Sequence, residues 1–342
     1  MYLVAGGAGF LGEVLIKKLL EQGNQVRSFD QNITNIEHRN LEVIQGNVLD
    51  FKSVENAMKG VDIVFNNIAQ VPISKNKKLF WAVNEGGTKN LLEASLNGSV
   101  EHFIYTSSSA VYGAPVKNPV NEKTLPIPAE DYGKAKLAGE NLCHKYNEKG
   151  LKCSIIRPRT ILGTGRLGIF QILFEWIYQG LNIPVIDGGK NIYQFIHASD
   201  LVNASISASK MEVPGCYNIG ATHFGSMHDV LSNLIQCSKS SSKIKSVSSK
   251  FTQKGMSITS MLGLSPLGAY HALMYGKSMY FDVKHAKEKL KFEPKYSNNE
   301  MFLESYKWYC ENRDEIISGR LAGSGHKSAM KQKILKLVPY II

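Results

Sequence analysis

Apolar runs alternate with stretches of helical spacing along the first half of the chain. "YLVAG" reads as a strand, and Leu11, Leu15, Leu19 and Leu20 then fall on one helix face. "QVRSFD" predicts a second strand, "LEVIQGNV" a third, "VDIVFNNIA" a fourth and "HFIYTSSS" a fifth. A helix over about 79–96 lies between the last two, and a helix over about 131–148 precedes a sixth strand, "KCSIIRP". Strand–helix–strand repeats with short connections bury both sheet faces. They predict an α/β chain built on a doubly wound parallel sheet.

The alternation loosens after Pro158. "GIFQILFEWIYQG" reads as a helix, "YQFIHASDLVNASISAS" as a strand then a helix, and "CYNIG" as a short strand. The last two are expected to return to the sheet. Residues 231–315 lack the alternation and predict a smaller, mainly helical C-terminal lobe. The expected division is 1–160 for the sheet domain with 188–230 returning to it, 161–187 and 231–315 for the lobe, and 316–342 for a Gly/Ser hinge and a basic amphipathic tail. No internal repeat is visible.

Composition narrows the function classes. The 342 residues suffice for a large core. No apolar run approaches ~20 residues, so no transmembrane helix is expected. The start lacks a basic region and a cleavage site, which predicts a cytoplasmic chain. Five scattered cysteines without CxxC spacing read as reduced thiols, and His223 and His228 have no ligand cluster around them, so no metal is expected. The net charge of +11 sits mostly in 238–255 and 320–342, each with five basic residues and no acid. A nucleic-acid binder spreads its charge over a folded face, so no nucleic-acid partner is expected.

Candidate chemistry begins at "GGAGFLG", between the first strand and the first helix. Gly6, Gly9 and Gly12 fit GxxGxxG, which lets the backbone turn tightly and approach a pyrophosphate at a helix start. Asp30 ends the second strand, 18 residues after Gly12. A carboxylate there accepts from both adenosine ribose hydroxyls and repels a 2′-phosphate, which favours NAD over NADP. Its alternative is a turn residue, and Arg27 and Arg39 leave some NADP use open. "YGKAK" places Tyr132 and Lys136 four apart, on one helix face. A nearby ammonium favours the phenolate, so the pair suits proton removal from an alcohol.

With these motifs stand "GNVLD", "VFNNIAQ", "VNEGGTKNLLEA", "YTSSSAVYG", "IIRPRTILGTG", "QFIHASDLVNA" and "CYNIG". Over residues 1–312 the chain resembles the extended short-chain dehydrogenase/reductases, within them the NAD-dependent epimerase/dehydratase group and its nucleotide-sugar 4-epimerases. The resemblance implies a Rossmann-type fold, NAD as cofactor and a homodimer. It implies Tyr132 as acid/base, Lys136 as its pKa-lowering partner and Ser108 as the catalytic hydroxyl, four residues before Tyr112. It implies cofactor contacts at Gly6, Gly9, Phe10, Leu11, Gly12, Asp30, Asn47, Val48, Ala69, Asn84 and Pro158, besides Tyr132 and Lys136. Asp200 is expected to be structural, as a helix cap. Thr106 and Ser107 are expected to make strand-end hydrogen bonds, and Ser109 to touch substrate.

Departures from the family pattern narrow the chemistry. Ser109 and Ala110 follow Ser108 where dehydrating members carry Asp-Glu, and Ala110 stands where carbon-deprotonating epimerases carry cysteine. Dehydration and carbon deprotonation are therefore disfavoured, which leaves hydride chemistry on a secondary alcohol. Thr160 replaces the asparagine that helps hold a sugar-nucleotide diphosphate. Arg159 beside it is either a phosphate-binding charge or a structural arginine. "RPR" also occurs in the steroid-dehydrogenase-like branch.

The apolar stretch 256–281 is either packing or a substrate wall. The tail has three open readings: an interfacial helix on an anionic membrane, a helix docked on a neighbouring subunit, or a frayed end. Three functions follow in order: a nucleotide-sugar epimerase or dehydrogenase, a 3β-hydroxysteroid-dehydrogenase-like oxidoreductase of a lipid-like alcohol, and a non-catalytic NAD-binding scaffold.

Overall fold

A computed structural model describes residues 1–70, 76–166, 168–248 and 276–319. Most of the 256–281 stretch and the tail from 320 onward lie outside the described residues. The first half forms β1 (Tyr2–Ala5), β2 (Val26–Asp30), β3 (Leu41–Gln45), β4 (Ile63–Asn66), β5 (His102–Thr106) and β6 (Lys152–Pro158). Beyond them come β7 (Thr160–Leu162), β8 (Ile183–Ile186), β9 (Ile192–Tyr193), β10 (Phe195–His197) and β11 (Cys216–Ile219). The main sheet has seven parallel strands in the order β11-β6-β5-β4-β1-β2-β3.

The helices between them are α1 (Phe10–Glu21), α2 (Phe51–Ala57), α3 (Lys77–Trp81), α4 (Thr88–Asn97), α5 (Asp131–Glu148), α6 (Ile169–Tyr178) and α7 (Ala198–Ser209). Period-two alternation divides the strand residues between two cores. Leu3, Ala5, Phe103 and Tyr105 face Val54, Leu91 and Cys143 of α2, α4 and α5. Val4, Ile104 and Ile156 face Leu15, Ile16 and Leu201 of α1 and α7. Helices on both faces explain why the strands read as near-continuous apolar runs.

The rest of the chain contains α8 (Met227–Cys237), α9 (Lys284–Leu290), α10 (Asn298–Glu311) and α11 (Arg313–Ile317). A third core joins α6, α8 and α10 around Phe174, Phe195, Phe302 and Tyr309. A small fourth cluster packs Met279 and Phe281 on Val111 and Tyr112, just beyond β5. That cluster brings a C-terminal segment over the mouth of the sheet.

Four local outcomes differ from the pattern. β10 does not enter the main sheet; it pairs in parallel with β7, because Phe195 is held in the aromatic core against Phe170, Phe302 and Tyr193. The region expected to be helical contains a strand, Ile244–Val247, which pairs in parallel with β8. Its lysines and serines hide the apolar alternation. The helix expected over 79–96 is broken into α3, a π-helical turn at Ala82–Gly87, and α4. There the Asn84 amide donates to the Phe80 carbonyl (2.9 Å) and competes with the backbone for that acceptor. Asp200 does not cap its own helix, whose N-cap is His197. It instead accepts from the backbone amides of Lys295 and Tyr296, fixing the entry to α10.

The sheet contains one acid-sensitive link. His102 on β5 is buried and shares a hydrogen bond with Ser154 Oγ on β6 (2.9 Å). Burial pushes its pKa down from 6.5 to about 4. The folded value lies below the unfolded one, so this stabilisation is present above pH 6.5 and is lost as pH falls through about 4. Urea midpoints measured across that window should fall with pH, and His102→Gln should flatten the decline.

Candidate active site

The C-terminal ends of the strands converge on the α1 N-terminus, where the first helical amides have no intrahelical partner. The N-cap Gly9 supplies no side-chain cap, so these amides remain suited to an anion. Gly12 has to be glycine, since a Cβ there would lie 2.1 Å from the Gly6 carbonyl oxygen. The Phe10 side chain is buried, which leaves its backbone as the group facing the loop. Asp30 at the end of β2 accepts from Ala8 N (3.3 Å) and Asn32 N (3.0 Å), holding a carboxylate beside the glycine turn. Orphan amides, a turn closed to side chains and a fixed carboxylate fit a dinucleotide's diphosphate and ribose.

The loops after β3 and β4 line the same mouth. Asn47 Oδ1 accepts from Leu49 N (3.0 Å), and the Val48 carbonyl accepts from Asn90 Nδ2 (2.9 Å). Asn84 is buried and its amide clamps the backbone of Gln70, beside Ala69. Its observed contacts therefore position the β4 loop. Pro158 is buried at the end of β6, opposite Ile219 of β11.

The Ser108 and Tyr132 hydroxyls meet closely enough for the serine to pull the phenol's pKa down. Two local devices create that meeting. Glu130 caps α5 by accepting from the amides of Tyr132 (2.8 Å) and Gly133 (2.7 Å). Gly133 lets α5 approach the serine turn, because a Cβ would lie 2.4 Å from the Ala110 carbonyl oxygen. Lys136 is buried and donates to the Thr106 carbonyl (2.8 Å), with its Nζ 6.0 Å from the centre of the Tyr132 ring. Burial lowers its pKa to about 8, opposed by Glu140.

The electrostatics of Tyr132 involve more than the Lys136 side chain. Burial raises the phenol to about 12; the Ser108 hydroxyl and the Arg166 charge pull it down, and Glu130 adds to the rise. Among the described residues, Arg166 is a cation that lowers it. Arg166 itself is lowered to about 10 by burial, and its guanidinium lies 5.6 Å from the centre of the Phe10 ring. Sequence reasoning missed this residue. The signal was "GTGRLG" after β7, where Gly163, Gly165 and Gly168 all take positive φ.

The supporting groups are also fixed. Thr106 Oγ1 donates to Asn67 Oδ1 (2.6 Å), and the Ser107 hydroxyl donates to Glu140. Arg157 holds Glu140 through Nε (2.8 Å) and Nη2 (2.6 Å), and its Nη1 donates to Tyr112 Oη (2.7 Å). Beyond the serine turn, Arg159 Nη1 donates to Ser109 Oγ (2.7 Å) and contacts Met279 Sδ (3.3 Å). Its guanidinium lies over the rings of Tyr193 (4.5 Å) and Phe281 (5.7 Å). Thr160 Oγ1 pairs with Tyr193 Oη at 3.0 Å. Ser109 thus faces Arg159, while Ser108 faces Tyr132.

Gly12→Ala should weaken NAD binding about 10–100-fold by calorimetry, in line with an overpacking cost of about 1–3 kcal/mol. Glu140→Leu strands the Arg157 charge and should lower stability by about 3–5 kcal/mol in chemical denaturation.

Comparison with known proteins places this site in a family. The family model described as "NAD dependent epimerase/dehydratase family" matches residues 2–220. The chain is 50% identical over 341 residues to the uncharacterized protein y4nG of Sinorhizobium fredii, covering 99% of this chain and 86% of that one. It is 27% identical to a 3-beta-hydroxysteroid dehydrogenase of Mycolicibacterium neoaurum, over 92% of this chain and 93% of that protein. In fold it is similar to MoeE5, solved with UDP-glucuronic acid and NAD, with a TM-score of 0.76 at 24% identity, over 91% of this chain and 99% of that one. The family match covers the glycine turn, the serine turn and the Tyr132–Lys136 helix. The chain therefore belongs to the NAD-dependent epimerase/dehydratase family of extended short-chain dehydrogenase/reductases, whose cofactor is NAD.

Proposed function

We propose that this protein is an NAD-dependent epimerase or oxidoreductase that acts on a secondary alcohol of a nucleotide sugar. The observation that carries the reading is the Ser108–Tyr132 hydroxyl pair, set beside Lys136 at the mouth where the glycine turn and Asp30 fit a dinucleotide. NAD, when bound, supplies the hydride acceptor. Ser108 hydrogen-bonds the reacting oxygen. Tyr132 takes the hydroxyl proton during oxidation and returns it during reduction. Burial keeps its phenol protonated near neutral pH, which suits donation to a keto oxygen; Arg166 favours the phenolate needed for the opposite direction. Lys136 uses one proton on the Thr106 carbonyl and has others for a cofactor hydroxyl.

Ser109 and Ala110 supply no carboxylate or thiol, so the reaction keeps to hydride removal and return. A keto group held by Ser108 and Tyr132 that turned its other face to bound NAD would be reduced with inversion at the carbon, with no net use of the cofactor. A homodimer belongs to the same reading. A second reading, oxidation of a lipid-like alcohol, is favoured by Met279, Phe281 and Tyr193 around Arg159. The steroid dehydrogenase relative supports the same alternative.

Tyr132→Phe should cut turnover by about 10²–10⁴-fold while NAD still binds. Purified protein is assayed with sugar nucleotides and with hydroxysteroids, without and with added NAD. Interconversion of a sugar nucleotide without added NAD supports the epimerase. NADH release with hydroxysteroids alone decides for the second reading.

A further inference from the structure

Two arginines two residues apart behave differently. Arg157 presents its Nε–Nη2 edge to the Glu140 carboxylate, at 2.8 and 2.6 Å, while its Nη1 donates to the Tyr112 hydroxyl at 2.7 Å. Arg159 repeats half of that pattern. Its Nη1 donates to the Ser109 hydroxyl at 2.7 Å, but Nε and Nη2 are buried and have no partner among the described residues. The residue is 1% exposed, and among the described residues no carboxylate pairs with it. A buried cation without an anion is costly. Aromatic faces and a thioether around it offset part of that cost, and no described acid completes it.

We infer that Arg159 is the recognition site for a carboxylate carried by the substrate, bound along the free Nε–Nη2 edge in the way Glu140 is bound by Arg157. The planar fork of that edge matches a carboxylate's two oxygens. A single positive charge among the apolar walls of Tyr193, Phe281 and Met279 matches a monoanion. The location sets the substrate class. Arg159 is tied to Ser109, and the neighbouring Ser108 lies beside the Tyr132 hydroxyl, so acid and alcohol sit close together. The substrate is therefore a hydroxy acid whose carboxylate lies near the reacting carbinol. This class rests on the reading of Ser108 and Tyr132 as the place of alcohol oxidation; the carboxylate site itself does not.

The site is read directly in NAD-loaded, full-length protein carrying ¹⁵N-arginine. The sequence has seven arginines, so the Arg159 Nε–H signal is identified by its loss in Arg159→Met. Acetate should shift that signal and acetamide should not; an Arg159 signal indifferent to acetate overturns the proposal. UDP-glucuronic acid and UDP-glucose differ by one carboxylate, and the acid should bind at least about tenfold more tightly. Arg159→Met should erase the preference and Arg159→Lys should keep part of it. Equal affinity for the two in the unmodified protein, or a preference that survives Arg159→Met, counts against the site. A protein that responds to acetate yet oxidises no alcohol refutes the enzymatic reading and leaves the carboxylate site standing. One that oxidises acid and neutral alcohols with equal kcat/KM refutes the carboxylate site and leaves the enzymatic reading.

Discussion

The buried ion pair between Glu140 and Arg157 joins three elements on which the candidate site is built. Glu140 belongs to α5, Arg157 to β6, and the Ser107 hydroxyl ties the same carboxylate to the end of β5. At 1% and 7% exposed, the two side chains are mostly removed from water. Such a pair contributes little net stability compared with an apolar replacement, but breaking it is expensive. Its consequence here is geometric. Tyr132 and Lys136 lie on the same helix as Glu140, Ser108 follows Ser107, and Arg159 follows Arg157. Ser108, Lys136 and Arg159 are therefore each within four residues of a member of the network.

Close approach supplies the second constraint. Gly133 admits the Ala110 carbonyl where a side chain would collide, and the Glu130 cap fixes the start of the helix. Together they bring the phenol to the serine hydroxyl. The price is burial, which raises Tyr132 and lowers Lys136 towards their neutral forms. Proton transfer at this centre therefore depends on the charges placed around it. Arg166 acts on the phenol from the loop after β7, and Glu140 acts on Lys136 from one turn along α5.

Much of this architecture was legible in the chain. The β1–β6 runs and α5 stand out because each is a local pattern: an apolar run or a helical period ending at glycine, proline or a polar cluster. The parallel sheet followed from their alternation. Tyr132 and Lys136 share a face by spacing alone, and the strand-end roles of Thr106 and Ser107 match their contacts with Asn67 and Glu140. The misreadings have local causes. The Ile244–Val247 strand lies among lysines and serines, the π-helical turn depends on one side-chain hydrogen bond, and β10 yields to an aromatic core built from α6 and α10.

Sequence by itself determined the succession β1 to β6, α5, the glycine turn and the family motifs, because these depend on neighbours a few residues apart. Tertiary structure alone decided that Arg166 acts on Tyr132, what Asp200 holds, and the setting of Arg159. Arg166 acts on Tyr132 by its charge from 34 positions away, and Met279 meets Arg159 from 120. Charge and burial act through space, so no local pattern of residues records them.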